Sequence, residues 1–521
     1  MRSLDINEST DNPVINLALD TIKIGKQGFI FVNTKPSAEK AAEDIARLVK
    51  VEDKKLDELS EAVLKALGRP TRQCERLAKC VKKGIAFHHA GLTYKQRELI
   101  EEEFRKGSIK LICCTPTLAA GVDLPAFRAI IKDLKRYEGR GLNWIPVLEY
   151  LQQSGRAGRP SFDSYGESII ISSTKPEREK LEEKYVFGEP EEIESKLAAE
   201  PVLRTHLLSL IASSFVQTRK EVMDFFSKTF WAHQYKNIEM LEAIISKLLG
   251  LLEEWEFIIT KGTDFTPADS LDEDQKIRAT IPGKRVAELY LDPLTANQLI
   301  TGIRKSQARA VTAFSFLQLV SSTLEMRPLL NVRMKEYEMI QEKIAEHDSN
   351  LLQDEPSMYE EGYEDFTKSI KTALFFNEWI NEKPEDELLE SFNIRPGEIR
   401  IKLEKAEWLL YSAQELSGLM NYKHLIKEIV KLRLRLKNGV REELLPLIKL
   451  RNIGRVRARS LFNNRIRSIK DIREADLATL SYLIGRQTAL DIKRQVGQEL
   501  SDEKIQAKPN KRKGQISLGD Y

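Results

Sequence analysis

Between Gly28 and Ser172, short apolar, β-prone runs alternate with charged amphipathic stretches, and few folds accept that alternation. GFIFVN, from Gly28, gives way to the helical pattern AEKAAEDIARLV, and GIAFHHAG precedes a charged helix over Lys95 to Lys106. KLICCT and ESIIIS supply two more strands. Apolar strands separated by helices predict a parallel sheet, so residues 1–180 are expected to form one α/β lobe. Beyond Glu182 the alternation stops and helical patterns dominate.

Three stretches within this lobe carry chemistry: FHHAGL at Phe87 to Leu92, TPTLAAGVDLPA at Thr115 to Ala126, and QQSGRAGRP at Gln152 to Pro160. In the last, Gly155 and Gly158 permit a tight turn while Arg156 and Arg159 present guanidinium forks suited to phosphate oxygens. Their expected task is to stabilise transition-state charge on a γ-phosphate, assisted by a hydrogen bond from Gln152. After KLICCT, Thr115 and Thr117 stand near an expected helix start, where free N–H groups and hydroxyls can grip a phosphodiester. Gly121 and Asp123 follow where the loop turns back to a nucleotide, so Asp123 is expected to contact the ATP ribose. His88 and His89 have no companion ligands at metal spacing, and no metal is expected. Between the second and third stretches, AIIKDLKRYEGRGLNWIP reads as a hairpin with Gly139-Arg140-Gly141 at its tip, or else as a packed loop.

Farther along, residues 181–291 combine helices with a hairpin from WEFIITKG to IRATIPGKRV, as a winged helix does. Residues 292–440 read as a bundle of long amphipathic helices. On the helix after Pro396-Gly397, Ile399, Leu403, Ala406, Leu410 and Ala413 form one apolar seam, and Trp408 points away from it. Such a tryptophan either stacks on a base or packs against another helix. Residues 441–500 contain RNIGRVRARSLF, a helix-hairpin-helix pattern in which Arg455, Arg457 and Arg459 surround Gly454. Hairpin amides of this kind can hold a phosphate. The end, 501–521, is polar and lysine-rich and is expected to be a flexible tail closing with QISLGDY.

FVNTKPSAEKAA, FHHAGL, TPTLAAGVDLPA, QQSGRAGRP and AEWLLYS, taken in order, resemble the archaeal Hjm-type superfamily 2 (Ski2-like) ATP-dependent DNA helicases, relatives of the helicase part of DNA polymerase theta. The likeness covers nearly the whole chain and implies a second RecA-like lobe, a winged helix, a helical ratchet bundle and a small DNA-binding domain. It implies movement 3′ to 5′ on single-stranded DNA with ATP and Mg2+, and work on forked or branched DNA in replication-coupled repair. Asn33, Thr34, His89, Thr115, Thr117, Trp408 and the arginines of the last domain become expected DNA contacts. Tyr137, Leu142 and Trp144 become an expected duplex-parting wedge. The arginine that the family carries one heptad before its ratchet tryptophan falls on Ile401 here, leaving Arg400 as the substitute. No GxxxxGK[ST] loop and no strand-borne DExx box occurs in these 521 residues, so ATP and magnesium are expected to be held mainly by a first RecA lobe that these residues do not include. Gln515, Leu518 and Tyr521 resemble the peptide that docks on a sliding clamp.

A net charge of +3 with 31% charged residues means that any basic surface must be local. The cysteines, Cys74, Cys80, Cys113 and Cys114, form no CxxC pair. With no signal peptide and no long apolar run, the expectation is a cytoplasmic, nucleoid-associated protein without membrane partners. Two other readings share these motifs: an inactive single-stranded DNA-binding module, and an RNA helicase of the same superfamily.

Overall fold

The computed structural model describes residues 6–66, 70–119, 124–138, 141–158, 163–197, 199–236, 238–261 and 276–498. The chain forms two compact units, Met1–Ser195 with Leu389–Ile401, and Lys196–Leu388 with Lys402–Tyr521.

The first unit is built on a parallel sheet. Its strands are β1 (Gly28–Phe31), β2 (Ile85–His88), β3 (Leu111–Cys114) and β4 (Arg128–Ile131); a separate hairpin of β5 (Lys135–Glu138) and β6 (Gly141–Trp144) precedes the last strand, β7 (Glu167–Ile170). The five-stranded order is β2-β3-β1-β4-β7, with Phe29 opposite both Ile112 and Ala129. The first four strands are buried along their whole length, which is why they read as continuous apolar runs rather than alternating ones. Helix Lys35–Leu48 lays Ala38, Ala42, Ile45 and Ala46 on the sheet, and Phe104 from helix Tyr94–Arg105 stacks on Phe29 at 4.9 Å between ring centres. The four cysteines are buried and free, and burial pushes the Cys80 thiol up to about 12.

Because every strand of the sheet runs the same way, its carboxyl edge gathers the loops that follow Phe31, His88 and Cys114. That edge is where open α/β sheets place ligands. At the opposite edge Arg128, 2% exposed, binds Glu167 at 2.7 Å, Asp20 at 2.8 Å and Thr21 at 2.8 Å. This tie is structural and joins the first helix to two strands.

In the second unit, helices Glu200–Ala212, Arg219–Ser227 and Ile238–Glu254 lead into an antiparallel pair, β8 (Ile258–Lys261) and β9 (Lys276–Ala279), then helix Ile281–Glu288. This is the winged-helix pattern expected for 181–291. Gly283 is required here by close packing, since a Cβ would come within 1.9 Å of the Phe257 carbonyl oxygen. Buried Arg204 grips Asp292 through two bonds of 2.7 and 2.9 Å, and Asp292 also caps helix Pro293–Lys305. Helices Ala313–Ser321, Tyr363–Ile380 and Lys423–Asn438 pack together as a bundle. Residues from Val440 to Val496 enclose a small core of their own, including Leu447, Leu461, Leu480 and Ile492. Leu389–Ile401 groups with the sheet unit although it lies inside the 292–440 stretch read as one bundle.

Candidate nucleotide and nucleic-acid interface

Helix Val147–Ser154 leads into the arginine motif, which lies beside Ala126, just ahead of β4, and so at the amino ends of β4 and β7. It buries Gln153 and leaves Gln152 exposed. After Gly155 the chain doubles back: Ala126 N–H donates to the Arg156 carbonyl at 2.9 Å and Gly158 N–H to the Ala126 carbonyl at 2.6 Å. Gly158 has φ +94°, a conformation that favours glycine, and a Cβ on the facing Gly166 would reach 2.3 Å from the Gly158 nitrogen. Gly158 sets the turn as the sequence predicts; Gly155, with an ordinary helical φ of −66°, does not need to be glycine for its conformation, and Gly166 carries no such expectation.

The guanidinium of Arg156 holds the carbonyl of Ala119, through Nε at 3.0 Å and through a second bond from its terminal nitrogen. This corrects the expectation of an arginine simply projecting toward phosphate. In this conformation Arg156 is a clasp between the TPTLA loop and its own motif, a charge-assisted hydrogen bond from guanidinium to carbonyl. Gly121, Asp123 and Arg159 lie outside the described residues.

The TPTLA loop forms a three-residue 3-10 turn, Pro116–Leu118, rather than a long helix start. Thr115 is buried and donates its N–H to the His88 carbonyl at 3.2 Å, while exposed Thr117 shares a 2.9 Å hydroxyl contact with it. Nearby, Asn33 donates its amide to the Lys135 carbonyl at 2.6 Å, and Thr34 caps helix Lys35–Leu48 by accepting from Ser37 N–H at 3.2 Å. Thr34 is exposed; Asn33 is half-buried and supports the base of the hairpin.

The hairpin pairs Lys135 with Trp144 and Tyr137 with Leu142. Its tip, Gly139-Arg140, and the side chain of Tyr137 lie outside the described residues. Leu142 is 61% exposed. Trp144 stands at the base, with the Lys135 ammonium 4.1 Å from its ring centre and Tyr185 against its edge. Trp144 is half-buried, with part of its ring occupied by these neighbours.

His89 is also corrected. Its imidazole is fully buried, stacked on Phe87, and turned inward. Nδ1 accepts the Gly91 N–H at 3.1 Å, so Nε2 carries the hydrogen and donates to Glu39 at 3.2 Å. Glu39, with its side chain 4% exposed, also receives Gln73 at 2.8 Å, Arg76 at 2.6 Å and Arg395 at 3.2 Å. Burial alone would raise this carboxyl, but the bonds from His89 and Gln73 and the charge of Arg395 outweigh it and hold the group at about 2. Burial lowers His89 below the usual imidazole range, so the ring is neutral. Backbones meet here as well. Gly397 N–H donates to the Gly91 carbonyl at 3.1 Å, a Cβ on Gly397 would lie 2.4 Å from the Ala90 oxygen, and Lys35 pairs with Glu398. Residues 395–398 are thus keyed into the FHHAGL loop. The sequence carried one sign of it: Glu39 falls on the same helical face as Ala42 and Ala46, among apolar neighbours.

Along helix Pro396–Leu419, Ile399, Ala406, Leu410 and Ala413 are buried as the helical wheel predicts, with Leu403 half-buried. Leu409 is fully buried too, so the apolar stripe is broader than the seam. Trp408 is half-buried, and its indole N–H donates to the Leu289 carbonyl at 3.1 Å. One edge of the indole is anchored in protein while the ring keeps an exposed portion. Arg400 and Ile401 are exposed on the same helix.

Two of the three arginines around Gly454 are engaged within their own unit. Arg455 donates to the Lys383 carbonyl at 2.5 Å and lies over Trp379, and burial lowers its pKa. Arg459 makes two bonds of 2.7 Å to Glu382 and one of 2.9 Å to Glu443, which raise its pKa. Arg457 is exposed. In this structure carbonyl and carboxylate groups of the same unit occupy both guanidinium groups. Gln515, Leu518 and Tyr521 lie outside the described residues.

A parallel sheet with the Gly155–Gly158 turn set beside the start of its fourth strand, followed by a winged helix and a helical bundle, is the arrangement of the second-lobe part of a helicase. Three family models agree: the helicase conserved C-terminal domain matches residues 12–161, a helix-turn-helix domain 166–259, and archaeal helicase domain 4 residues 314–439. ATP-dependent DNA helicase Hel308 of Methanococcus vannielii is 38% identical over 511 residues, covering 91% of this chain and 65% of its own length. The Hel308 of Methanocella arvoryzae is 38% identical over 95% of this chain and 66% of its own, and that of Pyrococcus horikoshii 38% over 95% and 67%. The chain belongs to the Hel308 family of archaeal DNA helicases. It spans about two thirds of the length of the curated relatives it matches.

Proposed function

We propose that this chain is the DNA-gripping and arginine-bearing part of an ATP-dependent helicase that moves 3′ to 5′ on single-stranded DNA and opens forked DNA in replication-coupled repair. The observation that carries the reading is the Arg156 clasp on Ala119, which ties the loop expected to grip DNA to the turn expected to meet phosphate. A change at the nucleotide would then be felt at the strand. The relatives' printed name, ATP-dependent DNA helicase, supports the same reading.

The arginine motif suits the phosphate end of ATP, with Arg156 and Arg159 to balance transition-state charge and exposed Gln152 to hydrogen bond nearby. Gly121 and Asp123 would meet the ribose. ATP supplies the phosphoryl group that is transferred to water; its Mg2+ and phosphate loop belong, in this proposal, to a facing first lobe. Thr115, Thr117 and Thr34 would hold the DNA backbone, Trp408 and Arg400 the strand in the helical part, and Arg457 the strand beyond it. Gln515, Leu518 and Tyr521 would recruit a sliding clamp.

The test is DNA-stimulated ATPase of the chain alone and mixed with a separately expressed first lobe from a relative. Turnover is expected only in the mixture, and Arg159→Ala should lower it by about a thousandfold or more. DNA affinity in that variant should stay within about threefold, since the arginine acts on phosphate transfer rather than on the strand. Normal turnover in Arg159→Ala would remove the arginine assignment. Tight single-stranded binding without turnover in either sample would favour the inactive module.

A further inference from the structure

Helix Ile281–Glu288 ends in an unusual residue. Tyr290 is 82% exposed and has φ +56°, and it is the sole aromatic among the described non-glycine residues with a left-handed backbone. At the end of a helix this conformation is ordinarily given to glycine or asparagine, because a side chain there is sterically strained. The backbone is held in place by Tyr290 N–H to the Ala287 carbonyl at 3.1 Å and Leu291 N–H to the Val286 carbonyl at 3.3 Å. Its hydroxyl has no partner among the described residues.

What gives the placement meaning is the residue before it. The Leu289 carbonyl accepts the indole N–H of Trp408 at 3.1 Å, so the peptide joining Leu289 to Tyr290 abuts the tryptophan edge. With standard backbone dimensions, the Tyr290 Cα lies roughly 6 Å from that indole nitrogen. An exposed aromatic thus neighbours a half-exposed one, on a surface where Arg285 is tied to Glu288 at 2.7 Å and Glu415 at 2.8 Å and is poorly placed to bind phosphate. Aromatic rings suit base faces rather than backbone phosphates.

We propose that Tyr290 is a nucleobase-stacking residue that, together with Trp408, forms a two-ring platform for successive bases of single-stranded DNA. The proposal rests on the functional reading above and deepens it: Ile401 carries no charge or ring where the family's arginine stands, and Tyr290 supplies a second strand contact from a different helix. Trp408 is held by its indole N–H, leaving Tyr290 as the ring free to adjust to the base.

The experiment uses the full chain, a fluorescent oligothymidine, and two substitutions. Tyr290→Gly removes the ring while relieving the left-handed backbone, so its thermal midpoint should equal or exceed the wild type. Its affinity should fall about fivefold or more, with the slope against log salt unchanged, because stacking releases no counterions. Tyr290→Trp should retain affinity. A 4-thiothymidine oligonucleotide, photocrosslinked to the wild-type chain, should form adducts at Tyr290. Wild-type affinity in Tyr290→Gly, equal loss in Tyr290→Trp, or adducts that avoid Tyr290 would each overturn the platform while leaving the helicase reading intact. If the wild-type chain does not bind the oligonucleotide at all, the functional reading falls, and this inference with it.

Discussion

Two clusters of arginine and carboxylate differ in what surrounds them. Around Glu39, with its side chain 4% exposed, Arg76, Arg395, Gln73 and His89 converge on one buried carboxylate, and backbone approaches backbone at Gly91 and Gly397. Around Glu382 and Glu443, Arg459 makes bonds of similar length, but its side chain is 27% exposed and Glu443 is 38% exposed. Equal distances do not mean equal consequences. A buried charge that loses its partners cannot recover hydration, whereas an exposed one exchanges its partner for water. The first cluster is a fixed joint; the second is an adjustable contact.

The sharpest way to break this contrast is Glu39→Ala, which leaves the buried His89 N–H without its acceptor and takes the carboxylate from Arg395, while Arg76 keeps Glu43. It should destabilise the first unit by roughly 3 kcal/mol or more, read from the shift of the urea midpoint. A change below about 1 kcal/mol would show that the joint is no different from a surface pair. Acid should act in the same direction. Because the folded group is held at about 2 against an ordinary 4.5, its stabilisation is complete above pH 4.5 and is lost as pH falls from there toward 2. The stability gap between wild type and Glu39→Gln should therefore narrow over that window, and a gap independent of pH would sink the assignment.

Gly397→Ala comes next. The added methyl group meets the Ala90 carbonyl oxygen at 2.4 Å and the Leu92 oxygen at 2.8 Å, both backbone atoms. Overpacking of this kind should lower stability by about 1 to 3 kcal/mol in chemical denaturation. A neutral result would mean that residues 395–398 are not tightly keyed to the FHHAGL loop. Smallest of all, Arg459→Ala should change the unfolding of the small core by less than about 1 kcal/mol, by calorimetry, since the contact is partly open to solvent. A loss as large as that in Glu39→Ala would erase the distinction between the two clusters.

Much of the scaffold was legible. Continuous apolar runs such as GFIF and LICC are strands because only a sheet covered on both faces buries every side chain in a row. The wheel on helix Pro396–Leu419 correctly set Ile399, Ala406, Leu410 and Ala413 inward, since 100° steps on one helix need no partner to compute. The site was legible in part. Gly158 could be assigned its turn from residue type, but the Ala119 carbonyl held by Arg156 lies 37 positions away and carries no side-chain signature.

Local order therefore came from the chain: which segments are strands or helices, where the turns need glycine, and which family the ordered motifs resemble. Those depend on backbone sterics and on periodic burial, both short-ranged. Tertiary structure decided which polar groups are occupied. His89 faces Glu39, Trp144 lies under Lys135, Arg459 meets Glu382, and Trp408 is fastened beside Tyr290. Each of these pairs joins residues distant in sequence or on different elements. A hydrogen bond or an ion pair depends on ångström-scale approach, which folding establishes and residue order alone does not encode in readable form.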